Sequence, residues 1–159
     1  MKNNLPPNRE HIDDQMIKME INLDDTPGEW LGYVMDLLFE AGANDVFYTP
    51  IYMKKNRPGV QVQLLCGQHL LEKMKEILFN ETTTLGVRYY PITVHRMERK
   101  FITIDTIWGQ VKVKEGLWNG ETIQISPEYE DCKQIAETHR IPLKKVYAEV
   151  WKVIHYNES

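Results

Sequence analysis

The stretch DVFYTPIYMKKNRPGVQVQLLC, residues 45–66, decides how the rest of the chain is read. Asp45–Tyr52 and Val60–Cys66 are rich in β-branched and aromatic residues, and Val60, Val62 and Leu64 share one face of the second run. Between them lies Met53-Lys54-Lys55-Asn56-Arg57-Pro58-Gly59, so the stretch reads as two strands joined by a basic turn. Pro58 fixes its own φ and Gly59 is free to take a positive one, which predicts a stiff connection. Three cations packed into so short a turn repel one another unless something negative relieves them. Arg57 can grip phosphate oxygens bidentately, and Lys54 or Lys55 can supply point charges. The plainer account is a solvated hairpin tip whose charge serves solubility, and from the turn alone both accounts stand.

Upstream, Met16–Leu23 alternates through Ile17, Met19, Ile21 and Leu23, a half-buried strand that stops at Asp24-Asp25. Thr26-Pro27-Gly28-Glu29 then reads as a helix start, with Thr26 as N-cap, Pro27 at the first helical position and Glu29 placed to close a capping box. Trp30, Leu31, Val34, Met35, Leu37, Leu38 and Ala41 repeat at helical spacing until Gly42 stops them. Downstream, Leu70, Leu71, Met74, Ile77 and Leu78 mark a second amphipathic helix. A fourth strand follows through Val87, Tyr89, Ile92 and Val94, where Pro91 predicts an edge or a bulge.

The order β-α-β-β-α-β is the ferredoxin-like arrangement. Tracing it up and down places three connections at one edge of the sheet: Asp24–Gly28, Met53–Gly59 and Asn80–Gly86. They are acidic, basic and hydroxyl-rich respectively. After Arg99 the pattern changes. Phe101–Thr106 and Gln110–Lys114 form a hairpin around Ile107-Trp108-Gly109, Asn119-Gly120 marks a turn before a strand at Glu121–Ser126, and helices follow at Tyr129–Arg140 and Pro142–Tyr156. The expected fold is therefore α+β: a flexible leader at 1–16, a ferredoxin-like domain at 17–99 and a β-β-β-α-α appendage at 100–159.

With 159 residues, 42% of them apolar and 26% charged, the chain fits one globular domain with a small appendage. A net charge of −4 argues against binding nucleic acid by bulk electrostatics. The chain also lacks the aromatic string of an RNA-recognition motif, which counts against single-stranded RNA despite a sheet of suitable type. Cys66 and Cys132 stand far apart, which fits a reducing compartment and excludes a Cys-rich zinc module. No apolar run is long enough to span a bilayer and the leader lacks a signal-peptide core, so the expectation is a cytoplasmic protein with no membrane partner. The histidines at 11, 69, 95, 139 and 155 show no ligand spacing.

Asp24-Asp25, with Glu20 earlier on the strand, offers hard oxygen ligands for Mg²⁺ or Mn²⁺. The simpler explanation is that these acids favour the positive end of the first helix; beside a basic phosphate-type turn, a metal–nucleotide site reads better. Thr82, Thr83, Thr84 and Arg88 bring three hydroxyls and a cation that can line phosphate or ribose oxygens, although Thr is also simply at home where a strand begins. No Walker motif occurs. Glu128, Glu130 and Asp131 open a predicted helix, where capping is the ordinary explanation and a metal or base-recognition contact the alternative. Cys132 beside them reads as a small buried residue, and Trp108 and Trp118 as core.

At these residues the chain resembles a known family. The runs INLDD (21–25), FEAGANDVFYTPIYMKKNRPG (39–59), ETTTLGVR (81–88) and PEYEDC (127–132) resemble the C-terminal part of the LarC family, over roughly Lys18 to Trp151. The resemblance implies a nickel chelatase, a lyase that inserts nickel into pyridinium-3,5-bisthiocarboxylic acid mononucleotide to make the nickel-pincer cofactor. It also implies dependence on CTP with Mn²⁺ or Mg²⁺, a nucleotide site in this part, and homo-oligomeric assembly. Carried onto this sequence, it makes Lys54, Lys55, Arg57, Gly59, Thr82, Thr83, Thr84 and Arg88 candidates for the nucleotide, and Asp24 and Asp25 candidates for its metal. Glu20, Glu128 and Asp131 are possible additions, and no catalytic residue is assigned. Family members carry a longer N-terminal part, which is expected as a partner and is not in this stretch. The competing expectation is a non-enzymatic ferredoxin-like nucleotide-sensing or assembly module.

Overall fold

The computed structural model describes residues 9–157. Residues 1–8 of the expected leader lie outside the described residues. Two compact units divide the chain: Ile12–Val94, and His95 onward together with the residues ahead of Ile12. The second unit draws in Glu10, whose carboxylate meets His95 Nε2 at 3.0 Å and accepts the Asn119 N–H at 3.4 Å.

In the first unit, β1 (His11–Leu23), α1 (Gly28–Glu40), β2 (Asp45–Met53), β3 (Arg57–Gly67), α2 (Leu71–Glu81) and β4 (Arg88–Arg96) follow in order. The four strands form an antiparallel sheet in the order β2-β3-β1-β4. Strand β1 starts five residues before the alternation announces it, at His11 rather than Met16. None of residues 11–15 is buried, so periodicity gives no sign of them. Its inward side chains face those of β3 in fixed register, Ile21 opposite Val62 and Met19 opposite Leu64. Leu31, Val34 and Leu38 of α1 and Met74 and Leu78 of α2 complete one core on that face. The Tyr48 hydroxyl donates to the Leu31 carbonyl and ties β2 to α1. Strand β4 is an edge, which is where Pro91 is tolerated.

Helix α1 ends as its sequence predicts. Gly42 has φ +103°, its N–H bonds the Phe39 carbonyl at 2.9 Å, and the Ala43 N–H reaches back to Leu38 at 2.9 Å, a Schellman pattern. Its start differs. Pro27 occupies the capping position with no side-chain cap, the helix begins at Gly28, and the Thr26 hydroxyl is bound to Thr83 instead.

The basic turn is also tighter than expected. Register pairs Met53 with Arg57, Tyr52 with Pro58 and Ile51 with Gly59, so only Lys54–Asn56 turn. The reversal falls on Lys55 (φ 62°) and Asn56 (φ 56°), not on Pro58-Gly59. Asn is the non-glycine residue that most readily takes this conformation. Pro58 sits in β3 beyond the last β1 pair, Leu23 with Val60, where its missing N–H breaks no β1–β3 bond. Gly59 is required for approach: a Cβ there would lie 2.6 Å from the Leu23 carbonyl oxygen.

In the second unit, β5 (Glu98–Thr106), β6 (Gly109–Trp118) and β7 (Glu121–Pro127) form a sheet in that order, followed by α3 (Tyr129–His139) and α4 (Leu143–Asn157). Asn119 (φ 52°) and Gly120 (φ 83°) make the left-handed turn their sequence predicts. Val111, Val113, Cys132, Ile135, Val146 and Val150 form its core, with Trp108 packed against it. Trp118, the last residue of β6, is exposed and lies outside that cluster, contrary to the expectation of core packing.

Two glycines separate packing from propensity. Gly59→Ala should cost about 1–3 kcal/mol in urea unfolding, because the added methyl meets backbone. Gly32→Ala, inside α1 with nothing within 4 Å of the new atom, should instead stabilise by about 0.5–1 kcal/mol.

Candidate functional site

The three connections do meet within the first unit. Arg57 Nη1 lies 3.2 Å from Asp24 Oδ2, joining the basic turn to the acidic loop. Thr83 Oγ1 donates to Asp25 Oδ1 at 2.5 Å, joining the hydroxyl-rich loop to the same acids. Thr26 Oγ1 stands 2.7 Å from Thr83 Oγ1. Since the single Thr83 hydrogen goes to Asp25, Thr26 is the donor in that pair. Residues 24–26, 57 and 83, far apart in sequence, thus form one hydrogen-bonded cluster.

The cations are unequal. Arg57 is held by Asp24, whereas Lys54 and Lys55 are exposed and have no partner among the described residues. Thr82 and Thr84 are directed locally. The Thr82 hydroxyl donates to the Leu78 carbonyl at 2.6 Å, closing the last turn of α2, and Thr84 Oγ1 donates to Gly86 O at 2.8 Å. Both shape the loop that presents Thr83. Gly59 acts through its backbone, as the point where β3 presses on Leu23.

A second cluster occupies the sheet face turned away from the helices. The even residues of β1 bring up Lys18, Glu20 and Asn22. Glu20 takes Lys18 Nζ at 3.2 Å and the Tyr90 hydroxyl at 3.0 Å, with Arg88 Nε at 3.8 Å. Arg88 also donates to Asn22 Oδ1 at 2.8 Å, and Gln61 donates to the same oxygen at 3.1 Å. Burial works to raise the Glu20 carboxyl, but Lys18, Tyr90 and Arg88 outweigh it and hold the group below its usual 4.5. Lys18 is raised, first by its bond to Glu20. Glu20 and Arg88 therefore pair with each other, and neither joins the Asp24–Arg57–Thr83 cluster through a hydrogen bond.

Glu128 and Asp131 belong to the second unit. Glu128 meets Lys114 at 3.5 Å, and Asp131 accepts the Lys112 backbone N–H at 2.8 Å, so both fasten α3 to β6. A concavity beside them is walled by Trp108, Lys112, Gln134, Thr138 and His139, whose Nε2 lies 3.0 Å from the Trp108 carbonyl. Cys66 and Cys132 are free and buried, and burial raises both thiols, for Cys132 with the Asp131 charge adding to it. Thiols in that state are poor metal ligands.

No group of three or more His, Cys, Asp or Glu side chains converges among the described residues. Asp24 and Asp25 give two hard carboxylates on a loop. That donor set suits a Mg²⁺ or Mn²⁺ ion whose remaining ligands are phosphate oxygens and water, rather than an all-protein cage. The sequence missed Thr26, Asn22, Lys18 and Tyr90. For the residues of β1 the signal was available: a period of two that buries 19, 21 and 23 must aim 18, 20 and 22 at the opposite face. Thr26 was hidden because capping is the commoner use of a Thr before a helix.

A four-stranded antiparallel α+β unit with a cluster of acidic, basic and hydroxyl side chains at one sheet end, followed by a three-stranded sheet and two helices, defines the class. The family model described as nickel insertion protein matches residues 4–147, and the chain belongs to that family. It is 48% identical over 146 residues to the pyridinium-3,5-bisthiocarboxylic acid mononucleotide nickel insertion protein of Acetivibrio thermocellus, covering 92% of this chain and 36% of that protein. The Thermotoga petrophila protein of the same name is 44% identical over 138 residues, covering 87% of this chain and 35% of its own length. The chain thus spans about a third of the curated relatives it matches. Among solved structures it superposes on LarC2, the C-terminal domain of a cyclometallase involved in synthesis of the NPN cofactor of lactate racemase, with TM-score 0.85, 38% identity and coverage of 92% and 99%. A Methanopyrus kandleri protein follows with TM-score 0.65, 25% identity and 85% coverage of each chain. The chain is therefore a LarC2-like C-terminal domain of the nickel insertion family. No helix among the described residues is long and apolar enough to cross a membrane.

The Glu20 cluster sets an acid limit. Its folded carboxyl titrates below the unfolded value, so its contribution is complete above about pH 4.5 and is lost as pH falls through the depressed folded value. Glu20→Gln should therefore flatten the decline of the melting temperature below about pH 4.5 while lowering stability at pH 7. Parallel thermal melts of the two proteins from pH 3 to 7 measure it, and identical slopes would remove Glu20 from the account.

Proposed function

We propose that this chain is the CTP- and divalent-metal-binding part of a nickel chelatase that makes the nickel-pincer cofactor. The nucleotide's phosphates lie against Lys54, Lys55 and Arg57, with Thr83 beside them. Asp24 and Asp25 would hold a Mg²⁺ or Mn²⁺ ion, which would supply positive charge to the phosphate oxygens. The supporting observation is the convergence of Asp24, Asp25, Thr83 and Arg57, with two unpaired lysines beside them. Arg57 is positioned by Asp24 before any ligand arrives, so it pays little ordering entropy on binding. A β-α-β-β-α-β unit of ferredoxin-like type suits this use, since its loops gather at one sheet end. The buried free thiols suit a cytoplasmic setting.

In this reading nickel is the cargo, and its capture falls to the remaining two thirds of the family protein or to a partner supplying them. A homo-oligomer is the expected assembly. The alternative, a nucleotide-sensing module without turnover, uses the same cluster and differs in outcome: tight binding, no release of phosphate, and a mass that changes with ligand.

Calorimetric titration of the chain with CTP, ATP and GTP, each with and without Mn²⁺, tests the site. Metal-dependent binding that prefers CTP is expected, and the combined variant Lys54→Ala, Lys55→Ala, Arg57→Ala should weaken it at least about a hundredfold with the melting temperature preserved. Unchanged affinity in that variant would sink the assignment.

A further inference from the structure

Strand β6 has a stretch of edge that its own sheet does not cover. Strand β7 pairs with β6 only from Val113, opposite Pro127, to Trp118, opposite Glu121. Beyond the Val113–Pro127 pair the chain turns away into α3, which takes over the edge at two points. At the first, the Lys112 N–H donates to Asp131 Oδ2 at 2.8 Å and the Lys112 carbonyl accepts the Glu128 N–H at 2.8 Å. At the second, His139 Nε2 lies 3.0 Å from the Trp108 carbonyl, and since a carbonyl only accepts, Nε2 carries the hydrogen. Gln110 lies between these two points.

In an antiparallel pair, residues two apart on a strand direct their backbone groups to the same side. The Gln110 N–H and C=O therefore face the edge that Lys112 faces, away from β5. No hydrogen bond from α3 or from a side chain reaches them among the described residues. They open into a cleft of about 420 Å³ lined by Trp108, Gln134, Ile135 and Thr138. The Trp108 backbone is pinned on both sides, its N–H by Thr106 Oγ1 at 3.2 Å and its carbonyl by His139, so the half-buried indole is held as a wall. Lys112 and Asp131 put one charge of each sign on the lining, which favours neither cations nor anions.

We propose that this cleft binds a small, uncharged, planar molecule whose edge carries a hydrogen-bond donor beside an acceptor: a lactam or a primary carboxamide. The ligand donates to the Gln110 carbonyl, accepts from the Gln110 N–H, and lies against the Trp108 indole. The volume is at the small end of the range for ligand sites. An extended peptide added as a strand is the rival occupant, and the edge itself argues against it. Such a segment needs successive free positions, whereas Lys112 and the Trp108 carbonyl on either side are already bonded. Every residue of the cleft lies between 103 and 139, within the second unit, and the inference is independent of the nucleotide reading.

Amide-resolved NMR titration of the 159-residue chain tests it. The probes are 2-pyridone and nicotinamide; the controls are N-methyl-2-pyridone, which lacks the donor, and nicotinate, which lacks it and is charged. Both probes should shift the Gln110 N–H saturably, together with the Lys112 N–H and the Trp108 indole, and both controls should bind about tenfold more weakly. Gln110→Pro deletes the N–H that faces the cleft and no β5–β6 bond, so it should fold and bind 2-pyridone about tenfold more weakly, read at Lys112. Thr138→Phe, at an exposed position of α3, should fill the cleft from the helix side and abolish the shifts with the fold unchanged. No saturable shift at Gln110 with either probe overturns the proposal, as do controls that bind as tightly as the probes. Binding of 2-pyridone that survives Thr138→Phe also overturns it. A blocked alanine tripeptide that binds more tightly than either probe assigns the edge to strand addition instead.

Discussion

The pressure of β3 on the end of β1 is the constraint on which the site depends. Leu23 pairs with Val60, and one residue further on Gly59 sits so close to the Leu23 carbonyl that no side chain fits between them. Beyond that point the two strands separate into the acidic loop and the basic turn. The last paired residues therefore decide that Asp24 and Arg57 emerge side by side. A one-residue slip would turn Ile21 and Val62 out of the core, so the buried face defends the register that the site uses. Core packing and site geometry are here the same requirement.

Much of this was legible in the sequence. The alternation of residues 17–23 and the helical spacing of 30–41 each name a buried face, and the β-α-β-β-α-β order restricts the sheet to few topologies. That order by itself brings the three loops to one end of the sheet. Gly42 stopped its helix because a left-handed C′ position has few other solutions. Asn119-Gly120 turned its strands for a comparable local reason.

Short polar side chains have several uses, and sequence spacing cannot say which is taken. Thr26 has the spacing of an N-cap, yet its hydroxyl goes to a residue 57 positions away. Thr82 and Thr84, candidates for an anion, also hold their own backbone. Arg88, a candidate for the nucleotide, is engaged by Glu20 and Asn22 across the sheet. In the basic turn, Pro58-Gly59 drew attention because those residues usually turn a chain, while Lys55 and Asn56 carry the reversal. Only tertiary contacts separate these uses.

The contact between the acidic and hydroxyl-rich loops has a direction. Thr26 gives its hydrogen to Thr83, Thr83 gives its own to Asp25, and the chain ends on a carboxylate that can only accept. Each hydroxyl has one proton, so neither can turn to a newcomer without leaving its acceptor short. Any group that claimed the Asp25 oxygen would free the Thr83 hydrogen for another acceptor. The two threonine side chains thus act as a single relay whose effects do not add.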